Sequence, residues 1–167
     1  MIRKAKYSDA ASIQDLICIF SETGKVLFRS LDEIRKNISS FWVYEKNDQV
    51  VGVCSLKRGW GRLVELRSLG VDPLYSGQGI GTKMIEASLK EAMSTGCDEL
   101  FVLTYAVSMF KRLGFSTIDK EKLPNKVWND CNACLHQDNC DETAMVLSLA
   151  SLRQKKATQT LPTAAAI

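Results

Sequence analysis

The chain has 167 residues, of which 46% are hydrophobic and 25% charged, and its net charge is +3. That profile is typical of a single globular domain, and no apolar run approaches the roughly 20 residues of a membrane span. The surplus positive charge lies in the C-terminal segment SLRQKKATQTLPTAAAI, and the rest carries 19 basic and 19 acidic residues, which argues against a nucleic-acid-binding protein. Because the N-terminal stretch MIRKAKYSDAASIQ lacks the apolar core of a signal peptide, we predict a cytoplasmic protein.

The first half of the chain alternates between strand and helix patterns. In order it predicts a strand over residues 2–5, a helix capped by Ser8, a loop over 21–30, a helix over 31–38, a hairpin of strands 41–46 and 49–58 turning at Asn47–Asp48, and a strand over 62–71. The last of these is apolar enough to be buried on both faces.

The second half begins with a glycine-rich stretch and ends with a polar segment. It predicts a helix over 79–94 ended by Thr95–Gly96, a strand over 99–105, a short helix around 108–113, a strand over 114–118, a long polar loop and a final strand over 143–149. This order indicates a mixed α/β domain with much antiparallel pairing. We predict a folded domain over 1–148 and a flexible tail over 149–167.

Three glycines, Gly77, Gly79 and Gly81, stand where the buried strand hands over to the long helix. A helix N-terminus presents unpaired N–H groups and a partial positive charge, and glycines before it let an anion approach the backbone. A tight turn alone needs only one glycine. The spacing therefore favours a phosphate site, although both the Walker pattern and the GxGxxG fingerprint are absent.

The stretch Ser76-Gly77-Gln78-Gly79-Ile80-Gly81 resembles the acetyl-CoA pyrophosphate loop of the GNAT acetyltransferases, Arg/Gln-x-x-Gly-x-Gly/Ala. Ser76 stands where the family has Arg or Gln. The resemblance spans residues 1–148 and implies the GNAT fold, a mixed, largely antiparallel sheet flanked by helices, with acetyl-CoA as co-substrate. The cofactor-binding residues it implies are Leu69, Gly70 and Val71 for the pantetheine arm, and Ser76, Gly77, Gln78, Gly79, Ile80, Gly81 and Thr82 for the pyrophosphate.

The same resemblance implies a general base at Glu65, in the sequence VELRSLGV. An amine attacks a thioester only when neutral, so a carboxylate must take its proton directly or through water. The alternative is a surface acid at a strand edge. For the general acid, Phe110 occupies the place of the family's tyrosine and cannot donate, which leaves Tyr105 as the nearest candidate, or departure of the thiolate without a dedicated acid.

The segments GKVLFRS, ELRSLGV, FVLTY and LPNKVWNDCNAC most resemble the short, stand-alone N-acetylglutamate synthases of bacterial arginine biosynthesis. The implied acceptor is L-glutamate, whose two carboxylates each favour a guanidinium. Arg29 matches the arginine of the synthase loop motif. Arg67 lies two residues after Glu65, so both side chains share one strand face. The alternative for each arginine is a solvated surface position.

Cys131, Cys134, Cys140 and the single histidine, His136, fall in the polar loop before the last strand. Three thiolates and an imidazole make a zinc site in principle, but a second CxxC is missing. We therefore predict that no metal is bound. The cysteines are instead expected either to be reduced and to pack the loop, or to form a reversible disulfide.

Two other functions fit the sequence. A GNAT enzyme acting on another small amine or a protein N-terminus would keep the chemistry, and a degenerate acyl-CoA-binding module would lose it. By analogy with the fold we expect a homodimer and no nucleic-acid or membrane partner.

Overall fold

The computed structural model describes residues 1–125 and 140–159. The strands and helices are, in chain order, β1 (Ile2–Lys4), α1 (Ala10–Ser21), α2 (Leu31–Lys36), β2 (Phe41–Lys46), β3 (Gln49–Trp60), β4 (Leu63–Val71), α3 (Ile80–Met93), β5 (Glu99–Thr104), α4 (Val107–Arg112), β6 (Ser116–Thr117), β7 (Thr143–Ser148) and α5 (Leu149–Gln159). The predicted order of elements is confirmed from β1 to β7, and so is the predicted fold class, a mixed and largely antiparallel sheet flanked by helices.

The seven strands form one sheet in the order β1-β2-β3-β4-β5-β7-β6. Every neighbouring pair is antiparallel except β4 and β5. The predicted hairpin joins β2 and β3, and its turn residues Asn47 and Asp48 have φ values of 52° and 58°, as a two-residue hairpin turn requires.

The parallel pairing of β4 and β5 extends only from Leu63↔Glu99 to Glu65↔Phe101. Beyond that point the two strands no longer pair, and both of them line a cleft. The sheet is therefore opened along one seam, which leaves the backbone of the second half of β4 facing the cleft.

Each sheet face is covered by its own helices. Helix α3 packs on β2, β3 and β4, where its buried residues Ile80, Met84 and Ile85 meet apolar side chains of the sheet. Helix α1 covers the other face through Ile13, Leu16 and Ile17, which pack with α2 and with β2 and β3. The periodic apolar positions predicted for the two helices thus bury against opposite sides of β4.

Strand β4 carries a bulge that the alternation of its sequence does not show. Arg67 pairs with Ser55 of β3 and Gly70 with Val53, so β4 has one residue more than β3 between these pairs. Ser68 lies at this point, buried, with a φ of 53° that non-glycine residues seldom adopt. The bulge inverts the alternation of side chains for the rest of the strand.

The inversion puts two sets of residues on different faces. Before the bulge, Glu65 and Arg67 pair with β3 residues on the α1 side of the sheet, while Leu66 faces α3. After it, Leu69 and Val71 face the α3 core and Gly70 faces α1. Glycine at position 70 leaves room for Phe20, because a Cβ there would lie 2.8 Å from the Phe20 ring and force it to shift.

An ionic network ties the first strand to the first helix. The Asp9 carboxylate accepts hydrogen bonds from Arg3 Nη1 at 2.7 Å, Arg3 Nη2 at 3.1 Å and the Lys6 backbone N–H at 2.6 Å. Arg3 also donates from Nε to Glu45 Oε2 at 2.7 Å. The N-terminal segment and Glu45 of β2, 42 residues from Arg3, thus meet at one guanidinium.

Two sequence expectations are corrected by the structure. Ser8 does not cap α1, because a 3-10 turn over Tyr7–Asp9 comes first and the helix begins at Ala10 with Asp9 as its N-cap. The tail predicted from residue 149 is helical over Leu149–Gln159 and begins with a fully buried leucine. Arg153 holds that helix by donating to the carbonyl oxygens of Met93 at 2.9 Å and Cys97 at 2.6 Å.

None of the helices in residues 1–125 and 140–159 has both the length and the apolar character that crossing a bilayer requires.

Candidate active site

A cleft of about 820 Å³ opens at the seam between β4 and β5. Its walls come from the end of α1 and the loop before α2, from β4, from the glycine loop with the start of α3, and from the end of β5 with α4. Segments that are far apart in the sequence thus surround the second half of β4, whose backbone is not paired with β5. All the predicted site residues except Gln78 line this one cleft.

The glycine loop supplies the anion-binding end of the cleft. Gly77 and Gly79 have φ values of 75° and 74°, the left-handed region, and a Cβ built at either would meet nothing within 4 Å. Gly79 is the N-cap of α3, and no side chain caps the helix. The first-turn N–H groups therefore open onto free space, which suits a pyrophosphate.

We expect Gly79→Ala to weaken CoA binding about tenfold, because its methyl group projects where the anion approaches and its backbone conformation is strained. The strain alone should lower the free energy of unfolding by about 1–2 kcal/mol. Gly96→Ala is the matched control, since Gly96 has a φ of 76° and equally open surroundings but does not line the cleft. Calorimetry of CoA and thermal melting of both variants test this; equal affinities would contradict the anion site.

The cleft is also lined by a buried carboxylate together with one buried and one half-buried arginine. Glu65 is 9% exposed and Arg29 is 7% exposed, and the Nε atoms of Arg29 and Arg67 are both shielded from solvent. Arg29 Nη1 donates to Glu33 Oε1 at 2.8 Å, and the Arg29 carbonyl accepts from Gln14 Nε2 at 3.2 Å. Glu65 and Arg29 are therefore not solvated surface residues.

Tyr105 follows β5 and is 43% exposed at the cleft. Its hydroxyl donates to Asp141 Oδ1 at 2.7 Å. This hydrogen bond and partial desolvation raise the pKa of the Tyr105 phenol well above its ordinary value. The hydroxyl is the donor in this pair, and the raised pKa makes the phenol a weaker acid than an ordinary tyrosine.

One predicted site residue, Gln78, lies outside the cleft, and Phe110 belongs both to the cleft and to the core. The Gln78 side chain lies outside the cleft, where its Oε1 accepts from Lys46 Nζ at 2.9 Å. Phe110 lines the cleft but is almost fully buried, with its ring edge-on to Phe115 at a centroid distance of 5.1 Å. A phenylalanine at that place serves the core.

Of the cysteine loop, Cys131, Cys134 and His136 lie outside the described residues. Cys140 is half-buried, and its carbonyl accepts from Lys120 Nζ at 2.6 Å. Within the described part of the chain, no group of three or more metal-ligating side chains is placed to hold a metal ion.

Several residues of the cleft escaped the sequence reasoning. Phe20 and Phe28 add aromatic surface, and Arg112 and Glu142 add charge. No short-range signal marks them, and Asp141, the partner of Tyr105, likewise lies 36 residues away from it in the sequence. Only the closed fold brings these positions together.

A helix N-terminus open to an anion, an uncovered strand backbone and a buried carboxylate thus meet in one cleft. Comparison with known proteins gives the family. The model of the acetyltransferase (GNAT) family matches residues 10–115, and the chain belongs to that family. It is accordingly an acyltransferase, and acetyl-CoA is its co-substrate.

Two curated relatives match along most of the chain. An uncharacterized N-acetyltransferase of Chlorobaculum tepidum is 36% identical over 148 residues, which is 89% of this chain and 96% of the relative. An amino-acid acetyltransferase of Mycobacterium tuberculosis is 31% identical, over 78% of this chain and 76% of the relative.

Among solved structures, the N-acetylglutamate synthase of Neisseria gonorrhoeae, complexed with coenzyme A and N-acetyl-glutamate, superposes with a TM-score of 0.80 at 26% identity. The match covers 89% of this chain and 35% of that one.

Proposed function

We propose that the protein transfers the acetyl group of acetyl-CoA to the amino group of L-glutamate, as an N-acetylglutamate synthase of arginine biosynthesis. The observation that carries the proposal is that the buried Arg29 and the half-buried Arg67 line one cleft with the buried Glu65. Two guanidiniums suit an acceptor with two carboxylates, whereas a polyamine would be repelled by them.

Each group in the cleft then has a task. Arg29 and Arg67 bind the carboxylates of the acceptor and orient its amine. Glu65 takes the proton from the attacking amine, because only the neutral amine is a nucleophile. The N–H groups at the start of α3 hold the pyrophosphate, and the backbone of Leu69, Gly70 and Val71 pairs with the pantetheine arm.

Acetyl-CoA, when bound, supplies an acetyl group activated as a thioester. Tyr105 is the proposed acid for the departing thiolate, and its position in the lining of the cleft supports this role. To act, the hydroxyl must leave Asp141 and turn into the cleft. By analogy with the fold, we also propose that the protein works as a homodimer.

The names of relatives agree with an amino-acid acceptor. One curated relative is named an amino-acid acetyltransferase, and one structural neighbour is a synthase that was solved with N-acetyl-glutamate. At 31% and 26% identity these proteins support the proposal without deciding the acceptor, so the acceptor must be tested directly.

We expect release of CoA from acetyl-CoA in the presence of L-glutamate, and much less with L-glutamine, L-aspartate, spermidine or a short peptide. Arg29→Ala and Arg67→Ala should each raise the KM for glutamate about 10- to 100-fold, because each removes charge-assisted hydrogen bonds in a buried site. Thiol release across this panel of amines is the measurement. Arg35→Ala, an exposed arginine of α2, is the matched control and should behave as wild type.

Other outcomes point to the alternatives. Turnover with a different amine alone would keep the fold and the base but overturn glutamate. Tight acetyl-CoA binding with no turnover on any amine would identify an acyl-CoA-binding module.

A further inference from the structure

The glycine loop needs an external tether. Gln78 stands between Gly77 and Gly79, both in the left-handed conformation, and the loop is exposed. Glycine is the residue whose backbone loses most conformational freedom on ordering, so such a loop is costly to hold in one shape. Ser76 brings no charge that would draw an anion to it.

Lys46, the last residue of β2, reaches this loop from a distant part of the chain. Its Nζ donates to Gln78 Oε1 at 2.9 Å and lies 5.0 Å from the centroid of the Tyr75 ring. The ammonium thus contacts the loop on both sides of Ser76–Gly77. Lys46 pairs with Gln49 of β3 at the end of the hairpin, so the sheet fixes the position of its backbone.

We propose that Lys46 is a positioning residue for acetyl-CoA, which fixes the glycine loop in the conformation that binds the pyrophosphate. It acts through Gln78 and Tyr75 and does not touch the cofactor. A charge-assisted hydrogen bond and a cation–π contact give it two attachments to the loop. The inference rests on the proposed cofactor site but is independent of the acceptor.

The test is a double-mutant cycle on CoA affinity, measured by calorimetry with CoA alone. Lys46→Ala should raise the Kd about 3- to 10-fold, the range expected for the loss of one hydrogen bond at an exposed site. Gln78→Ala should raise it by no more than that, and the double variant should bind as weakly as Lys46→Ala alone, because the two residues act as one unit. Lys46→Arg should restore most of the affinity.

Two further readouts separate positioning from general structure. The kcat at saturating acetyl-CoA should remain that of wild type while the KM for acetyl-CoA rises. Lys36→Ala, which removes an exposed lysine of α2, should leave the Kd unchanged and so controls for net charge.

An unchanged Kd in Lys46→Ala would overturn the inference. So would effects of Lys46→Ala and Gln78→Ala that multiply in the double variant, because they would indicate independent contacts with the cofactor. A wild-type protein that fails to bind CoA would overturn the cofactor site together with this inference. Normal CoA binding without turnover on glutamate would affect only the acceptor.

Discussion

Replacing Glu65 by glutamine is expected to lower kcat for acetyl transfer by about 10²- to 10⁴-fold, the contribution that a positioned base makes to proton transfer. Glutamine fills the same buried volume beside Lys57 and Arg67 but cannot take a proton from the amine. Steady-state thiol release is the measurement. The remaining rate should rise with pH, because a larger share of the acceptor then arrives already neutral.

The variant must be shown to be folded and able to bind CoA, so unfolding and CoA affinity are measured alongside. Glu86→Gln, on the exposed side of α3, makes the same chemical change away from the cleft and should leave kcat unaltered. A Glu65→Gln enzyme within threefold of wild type would remove Glu65 from the chemistry and require another base.

The second large effect concerns folding. Asp9→Asn should lower the free energy of unfolding by about 2–3 kcal/mol near neutral pH, because it weakens hydrogen bonds to a partly buried guanidinium. The amide's NH₂ group would also face the Arg3 donors. Urea unfolding of both proteins at pH 7 gives the difference directly.

The pH dependence of this difference has a defined sign. The hydrogen bonds from Arg3 hold the pKa of the Asp9 carboxyl below its ordinary value. The stabilisation is therefore complete above the unfolded-state pKa of about 3.9 and is lost as the pH falls through the lower folded-state pKa. Wild type and Asp9→Asn should accordingly converge in strong acid.

Asp98→Asn provides the contrast. Asp98 also pairs with an arginine, Arg62, through two hydrogen bonds, and the pKa of its carboxyl is likewise lowered. This pair lies in solvent, where ion pairs contribute little. A loss of stability in Asp98→Asn as large as that in Asp9→Asn would show that burial is not the cause.

Most strands and helices could be predicted because each is marked by a pattern within its own segment of the sequence. Period-2 and period-3.6 patterns marked the strands and helices, and Asn47–Asp48 marked the hairpin turn. Helix α5 was missed for the same reason. Its attachment depends on Leu149 and on the hydrogen bonds of Arg153 to two carbonyls more than 50 residues away, which no helical pattern reveals.

The site residues likewise divide into those with a local sequence signal and those without one. The glycine loop could be predicted, because left-handed backbone positions before a helix favour glycine. The burial of Arg29 depends on how the loop before α2 returns to the sheet, and the link of Tyr105 to Asp141 depends on β7. Lys46 reaches Gln78 across 32 residues, so only the folded structure shows that contact.

The bulge at Ser68 has a consequence for how such a protein diversifies. On one side of it β4 presents Glu65 and Arg67 to the proposed acceptor, and on the other it presents the backbone of residues 69–71 to the proposed acyl donor. Substitutions confined to residues 63–67 can therefore alter the choice of amine while the support of the thioester stays intact. A single strand thus allows the acceptor range to evolve separately from the cofactor requirement.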